Sequence, residues 1–477
     1  MEVNQNRMPL YEAVKQFKDN QPKSYHVPGH KSGLLYEQIG PEWTRFLQYD
    51  VTELNGLDDL HAPEGPIMEA QQLLSSLYRT RKSYFLVNGS TVGNLASILA
   101  AFEKGDYVLV QRNCHKSVLN ALSLANVKPI FLSPKVDHEL CIGLEIDPAI
   151  VRNAFENYPN LKGCVLTYPN YYGFTYNLKA IIDIVHKNNG LVIVDEAHGP
   201  HFQIGRPFPE SAVTLGADIV IHSAHKMLPA MTMGSYLHIN SKRVSDKRIE
   251  FFLAMLQSSS PSYPIMVSLD IARHYLGNFT KQDMEYTLFQ RNQFVTMLES
   301  IEHLSVKTRS GQDPLKVLVT YEGYSGFELQ GIFEEQGIFT ELADQYHVVF
   351  VLPLLKQGII YPYDNTIEKL KAALERRTPV IKVEKMLYKN NEELTSLSMT
   401  YDEMEHKEVE YVSMRDAIHR IAAKMITPYP PGIPLLLPGE KVKKEQIKTL
   451  MQLLELNAKF QGDTSSLYKG EIPVFKD

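Results

Sequence analysis

The sequence predicts an α/β protein built on a mainly parallel sheet in a large domain, followed by a smaller α/β region. Two observations carry that prediction. Between residues 61 and 275, short continuous apolar runs alternate with helical stretches. Strands that are apolar throughout, and separated by helices, belong to sheets covered on both faces. Beyond residue 276 the pattern shifts to a long helical period and then to strand-like alternation.

Taken in order, residues 1–60 hold one helical pattern (Leu10, Tyr11, Val14, Phe17) and then a turn-rich stretch, and read as an N-terminal arm. The large domain, 61–275, has apolar runs at 84–87, 107–110, 163–166, 191–194 and 219–221. Each run is followed at once by polar residues: Asn88-Gly89-Ser90-Thr91, Arg112-Asn113-Cys114-His115, Tyr168-Pro169-Asn170-Tyr171, Asp195 and Ser223-Ala224-His225-Lys226. Ligands of parallel sheets gather beyond the carboxyl ends of the strands, so five such clusters point to one rim. The small α/β domain, 276–400, shows a helix (Phe294, Val295, Leu298, Ile301), a half-buried strand (Leu315, Val317, Val319) and a further apolar run at 348–352. The C-terminal segment, 401–477, carries a Pro-rich stretch at 428–434 that cannot be helical, and a closing helix with Ile447, Leu450, Met451 and Leu454.

Composition bounds the function. The 477 residues are 44% hydrophobic and 22% charged, as in ordinary globular proteins. A balance of 49 basic against 55 acidic residues, net −6, argues against a nucleic-acid surface. No apolar stretch approaches the ~18 residues of a membrane span. Cys114, Cys141 and Cys164 are too few and too scattered for a disulfide framework or a zinc site, and no other metal site is expected. Together with an N-terminus lacking an apolar core, they predict a cytoplasmic protein.

The chemistry centres on Lys226. One apolar run delivers Asp195 and the next, thirty-one residues on from that aspartate, delivers a lysine flanked by Ser223 and His225. A pyridoxal phosphate site needs this pair, a lysine amine for the Schiff base and a carboxylate for the pyridinium nitrogen. Gly89-Ser90-Thr91 opens a helix whose unpaired amides and dipole suit a phosphate, although a plain hydroxyl cap is the simpler reading of that tripeptide alone. Ser223 and His225 are candidate phosphate donors. His115 is a candidate to stack on the pyridine ring, and His198 to bond the ring hydroxyl or Asp195. Tyr171 is a further candidate neighbour of the substrate.

At these residues the chain resembles the Orn/Lys/Arg decarboxylase family of fold-type I pyridoxal phosphate enzymes. The resemblance extends through His26-Val27-Pro28-Gly29-His30-Lys31, Leu57-Asp58-Asp59-Leu60-His61, Arg112-Asn113-Cys114-His115-Lys116-Ser117, Asp195-Glu196-Ala197-His198-Gly199, Pro430-Pro431-Gly432 and Pro438-Gly439-Glu440. The chain is similar to the short Gram-positive type, without the N-terminal wing domain of the large inducible enzymes. Where those usually carry Ser-Thr-His before the lysine, this chain has Ser223-Ala224-His225. The resemblance implies decarboxylation of a basic amino acid, arginine first, then lysine and ornithine, by a homodimer or higher homo-oligomer. A distal cation on the substrate calls for an acid, and Asp58, Asp59 and Glu440 are the candidates. A fold-type I aminotransferase, or a pyridoxal phosphate-binding protein without turnover, remains an alternative reading.

Overall fold

A computed structural model describes residues 4–137, 139–375, 377, 393–428, 434–455, 460–461 and 465–476. The Pro430-Pro431-Gly432 motif and most of the Pro-rich stretch around it lie outside the described residues. The chain divides into two compact units, Met1–Ala101 with Leu191–Thr280, and Phe102–Gly190 with Lys281–Asp477.

In chain order the N-terminal part contributes helices α1 (Pro9–Asp19) and α2 (Pro66–Tyr78), strand β1 (Lys82–Leu86) and helix α3 (Gly89–Ala101). Strand β2 (Tyr107–Gln111), helix α4 (Lys116–Ala125) and strands β3 (Lys128–Leu132) and β4 (Leu161–Thr167) follow. Next come β5 (Leu191–Asp195), β6 (Ile219–His222), β7 (Ser235–Ile239) and helices α5 (Tyr263–Gly277) and α6 (Lys281–Glu299). The last part holds β8 (Leu304–Lys307), β9 (Lys316–Tyr321), β10 (Leu342–Ala343), β11 (Val348–Val351), β12 (Leu394–Ser396), β13 (Val409–Ser413), α7 (Lys444–Glu455) and β14 (Glu471–Phe475).

In the first unit the strands run in the order β1-β7-β6-β5. Strands β5 and β6 are parallel, with Ile193 opposite Ile219 and Asp195 opposite Ile221. Strand β7 is antiparallel to both β6 and β1. Val192, Ile193, Val194, Ile219, Val220 and Ile221 are fully buried, which is why these strands read as unbroken apolar runs. Helix α3 lies close against this layer at Gly93. A β-carbon there would sit 2.8 Å from Leu86 Cδ1 and 2.9 Å from Ile221 Cγ2. The N-terminal segment is fastened to α5 by a buried pair. Arg273 donates to Asp270 (2.6 Å) and to the Gln5 carbonyl (2.9 Å), while Asp270 accepts the Leu10 amide at the start of α1 (3.0 Å).

In the second unit β4, β2 and β3 are parallel neighbours, with β12 antiparallel to β3. A separate antiparallel sheet runs β8-β9-β11-β10. Two expectations are corrected here. Strand β9 is not half-buried: Lys316, Val317, Leu318 and Val319 are all buried, so both of its faces are covered and the alternation misleads. Helix α7 is not the closing element, because β14 follows it and pairs with β13; Ile447 and Leu450 are buried, but Met451 is exposed.

The contact at Gly93 is testable. Gly93→Val forces the tips of Leu86 and Ile221 aside, and overpacking of this kind costs about 2 kcal/mol. Urea unfolding of the apoprotein is expected to show a lower midpoint with an unchanged slope.

Candidate active site

Within the first unit, the ends of β5 and β6 and the start of α3 bring several of the expected residues together. Lys226 stands in the helical turn Ala224–Met227 just after β6. Its Nζ lies 3.1 Å from His198 Nε2. With Nε2 accepting from the amine, the ring proton of His198 sits on Nδ1. His198, the candidate for the ring hydroxyl or Asp195, stands beside the lysine amine in this structure.

Asp195, at the last position of β5, is 3% exposed. A buried carboxylate needs donors. Asn94 Nδ2 donates to its Oδ2 (3.0 Å) and the Ala197 amide to its Oδ1 (3.2 Å). Asn94 was missed from the sequence, although it lies one helical turn beyond Ser90 on α3 and so on the same face.

The anion seat expected at Gly89-Ser90-Thr91 is the first turn of α3. Gly89 takes φ +77°, the left-handed region open to glycine, and nothing lies within 4 Å of where its β-carbon would be. Ser223 Oγ donates to Ser90 Oγ at 2.8 Å, so two hydroxyls from different elements meet at this turn. Asn88 Oδ1, buried beside it, has no hydrogen-bond partner. His225 Nδ1 donates to the Gly234 carbonyl at 3.0 Å. Thr91 is exposed.

The second unit carries the other motifs. His115 caps α4: its Nδ1 accepts from the Ser117 amide (3.2 Å) and hydroxyl (2.8 Å), which leaves its own ring proton on Nε2. Gln111, at the end of β2, accepts from the Thr167 amide (3.0 Å) and from the Tyr176 hydroxyl (3.0 Å), tying the ends of β2 and β4 together. Tyr171 is half-buried at the turn after β4, packed against Leu140, Ile142 and Phe174.

Two of the three candidate acids are engaged elsewhere. Glu440 is buried and forms a two-pronged pair with Arg112, with Nη2 to Oε2 at 2.7 Å, and accepts the Leu437 amide as well. Asp58 is buried and accepts the amides of Glu64, Gly65 and Ile67 at 2.8–3.0 Å, so it clasps the start of α2. Both carboxylates are thus tied to protein donors in this chain. Asp59 is exposed, with Oδ1 accepting the His61 amide at 2.8 Å. Within the His26-to-Lys31 motif, His30 also works locally, with Nε2 3.1 Å from Asp50 Oδ2 and Nδ1 accepting the Gly33 amide.

The sequence profile of the Orn/Lys/Arg decarboxylase major domain matches residues 8–309, and that of the family's C-terminal domain matches residues 381–467. The chain belongs to the Orn/Lys/Arg decarboxylase family. Membership makes it an amino-acid decarboxylase of the pyridoxal phosphate-dependent type. It is 43% identical to the uncharacterized protein YaaO of Bacillus subtilis, over 95% of this chain and 96% of that one. It is 31% identical to the arginine decarboxylase of Bacillus subtilis, over 97% of each. Its fold matches the lysine decarboxylase LdcF of Francisella novicida with a TM-score of 0.82 at 19% identity, covering 99% of this chain and 81% of that one. The constitutive lysine decarboxylase of Escherichia coli matches with a TM-score of 0.80 at 20% identity, covering 98% and 82%. No helix among the described residues is long and apolar enough to cross a membrane.

The residues present fit pyridoxal phosphate. The paired hydroxyls and the open left-handed turn at a helix start suit its phosphate. The buried, amide-oriented Asp195 suits a cationic ring nitrogen, and Lys226 supplies the amine.

The pairing of Glu440 with Arg112 is testable by two readouts. Glu440→Ala strands a buried guanidinium, which costs about 3–5 kcal/mol. The melting temperature is expected to fall by several degrees while KM for the substrate stays within threefold. A rise in KM with unchanged melting would return Glu440 to the role of receptor.

Proposed function

We propose that this chain decarboxylates a basic amino acid, arginine before lysine and ornithine, with pyridoxal phosphate held at Lys226. The observation that carries the reading is the meeting of Lys226 with His198 beside the buried, amide-oriented Asp195. Arginine is favoured because four relatives named arginine decarboxylase, at 28–31% identity, align over 96–97% of their own length. Relatives named lysine decarboxylase stand at 23–25% and align over 76–77% of theirs.

When bound, the cofactor supplies an electron sink for the pair released as carbon dioxide leaves the α-carbon. The chain's own residues do the rest. Ser90, Ser223 and the first amides of α3 hold the phosphate. His225 stays a candidate there through its Nε2, and Thr91 through its exposed hydroxyl. Asp195 keeps the ring nitrogen protonated, with Asn94 and the Ala197 amide fixing the carboxylate. His198 orients the Lys226 amine and can accept a proton from it. His115 stays the candidate that the sequence names for stacking on the ring. Tyr171 and Asp59 remain candidates for the substrate's side chain.

The homodimer belongs to the same proposal. Residues 25–46 of the first unit expose Tyr25, Val27, Leu34, Leu35, Ile39 and Trp43, six large apolar side chains within twenty-two residues. A second copy of the chain is the proposed cover. Leu35→Asp with Ile39→Asp is expected to convert the dimer to monomer in sedimentation, with Trp43, the chain's one tryptophan, shifting its emission to the red. Dimers that persist with both aspartates in place would overturn this cover.

The catalytic test is direct. Purified protein loaded with pyridoxal phosphate is incubated separately with arginine, lysine and ornithine, and carbon dioxide and amine are measured. Equal amounts of both from arginine are expected, with kcat/KM at least tenfold above that for lysine. Lys226→Ala is expected to abolish the absorbance of the bound cofactor and to lower kcat at least a thousandfold. Keto acid without carbon dioxide would make the protein an aminotransferase. Uptake of the cofactor with no response to any of the three would make it a binding protein.

A further inference from the structure

Directly behind the strand ends that carry Asp195 and Lys226, the first unit buries a continuous run of polar side chains that the proposed reaction does not use. Glu196 follows Asp195, and His222 precedes Ser223. Glu196 Oε2 lies 2.7 Å from His222 Nε2, and His222 Nδ1 lies 3.0 Å from His238 Nε2. His238 Nδ1 lies 2.8 Å from Ser83 Oγ, which is 2.7 Å from Thr80 Oγ1. At the other end Glu196 accepts from the Ser211 hydroxyl (2.6 Å) and the Ala212 amide (2.8 Å). Glu196, His222 and His238 are fully buried and Ser83 is 1% exposed.

We propose that Glu196, His222, His238 and Ser83 form one hydrogen-bonded chain that positions the cofactor-holding residues, by cross-tying the loop after β5 to β6, β7 and β1. The proposal rests on the reading of Asp195 and Lys226 as the residues that hold pyridoxal phosphate.

The chain has two proton arrangements that satisfy every member. With Glu196 ionised, His222 donates from Nε2 to Glu196, His238 donates from Nε2 to His222, and Ser83 donates to His238. With Glu196 protonated, the direction reverses. Glu196 donates to His222, His222 donates from Nδ1 to His238, and His238 donates from Nδ1 to Ser83. Both imidazoles stay neutral in either arrangement, and a single proton on Glu196 sets the direction of the whole run.

Burial decides which arrangement holds at neutral pH. It pushes the Glu196 carboxyl up to about 8 and the His222 imidazole down to about 3, and it pushes His238 down as well. The groups facing this pair are Tyr78 from α2, with its hydroxyl on the Pro200 carbonyl, His201, His238 from β7, and Asp195. Among them His201, together with the Ser211 and Ala212 hydrogen bonds, draws the Glu196 carboxyl down, and burial outweighs all three. Above about 8 the glutamate becomes a buried anion next to Asp195. Two adjacent buried carboxylates repel, and Asp195 loses the placement that favours the cofactor.

The sign of the pH dependence follows. From 4.5 to about 8 the folded protein keeps a proton on Glu196 that the unfolded chain has released, so stability falls as pH rises. From about 3 to 6.5 the unfolded chain holds a proton on His222 that the folded protein has released, so stability rises with pH. The two oppose between 4.5 and 6.5. Only the fall remains between 6.5 and 8.

Glu196→Gln keeps the shape and fixes the chain in its protonated direction; Glu196→Ala removes it. The first measurement uses apoprotein and needs no cofactor: the heat-unfolding midpoint from pH 6.5 to 9. A decline towards pH 8 in the wild type, absent in Glu196→Gln, is expected. The second is the affinity for pyridoxal phosphate by absorbance titration over the same range. Glu196→Gln is expected within threefold of wild type at pH 7 and about tenfold tighter than wild type at pH 9. Glu196→Ala is expected to be at least thirtyfold weaker at pH 7. Identical pH profiles for wild type and Glu196→Gln in both measurements, or wild-type affinity in Glu196→Ala, would overturn the proposal. A wild type that never takes up pyridoxal phosphate overturns the proposed function instead, and the apoprotein midpoints still report on the chain.

Discussion

The parallel pairing of β5 with β6 is the constraint on which the rest of the site depends. Because the two strands run the same way, their carboxyl ends leave the sheet together, with Asp195 opposite Ile221. One strand end therefore presents an acid while the next presents Ser223 and Lys226. No long-range coincidence is needed to bring them together. What remains is to supply donors to a carboxylate that the sheet has buried. Helix α3 does this through Gly93: with no side chain at that position, the helix comes close enough to Leu86 and Ile221 for Asn94 to reach Asp195.

The parts of the fold governed by full burial were legible in the sequence. Strands β1, β2, β4, β5 and β6 each contain the apolar run that the sequence predicted, and a polar cluster follows each run. Strand β7 was not legible. Its sequence, Ser235-Tyr236-Leu237-His238-Ile239, is interrupted by polar residues, yet all five are buried. Its serine and histidine tolerate burial because they have partners: Ser235 donates to the Met233 carbonyl two residues back, and His238 meets Ser83 and His222 on the neighbouring strands. Strand β9 misled in the opposite sense. Lys316 sits where alternation expects a solvated residue, and it is buried.

The acids show the limit of motif reading most clearly. Asp58, Glu440 and Asp195 all stand in family-type motifs, and each is buried. Their partners separate them. Asp58 is surrounded by backbone amides at a helix start, as a cap would be. Glu440 faces a guanidinium whose planar fork takes both of its oxygens. Asp195 receives fewer donors among the described residues, one amide side chain and one backbone N–H. A buried carboxylate with two neutral donors, set beside neither a guanidinium nor a ring of helix-start amides, is the one of the three best placed to take a cation.

The same reasoning gives Asp195 and Glu196 opposite fates, although they are adjacent in sequence. Successive side chains at a strand end project to opposite sides, so the two carboxyls leave the backbone into different surroundings. Asp195 lies among the groups gathered around Lys226 and Ser223, where a cationic ring completes its charge balance. Glu196 turns into the protein, where it meets a serine hydroxyl, one amide and a neutral imidazole. Burial outweighs the lowering effect of His201 and of these hydrogen bonds, so the cheaper state for Glu196 at neutral pH is the protonated one, and a protonated carboxyl can donate as well as accept. That extra donor makes the run from Glu196 to Ser83 directional. A leucine in its place would fill the volume, but it would leave the inward nitrogen of His222 without a partner at the base of the strand that carries Lys226. The polar run therefore belongs to the site's construction and not merely to the core's filling.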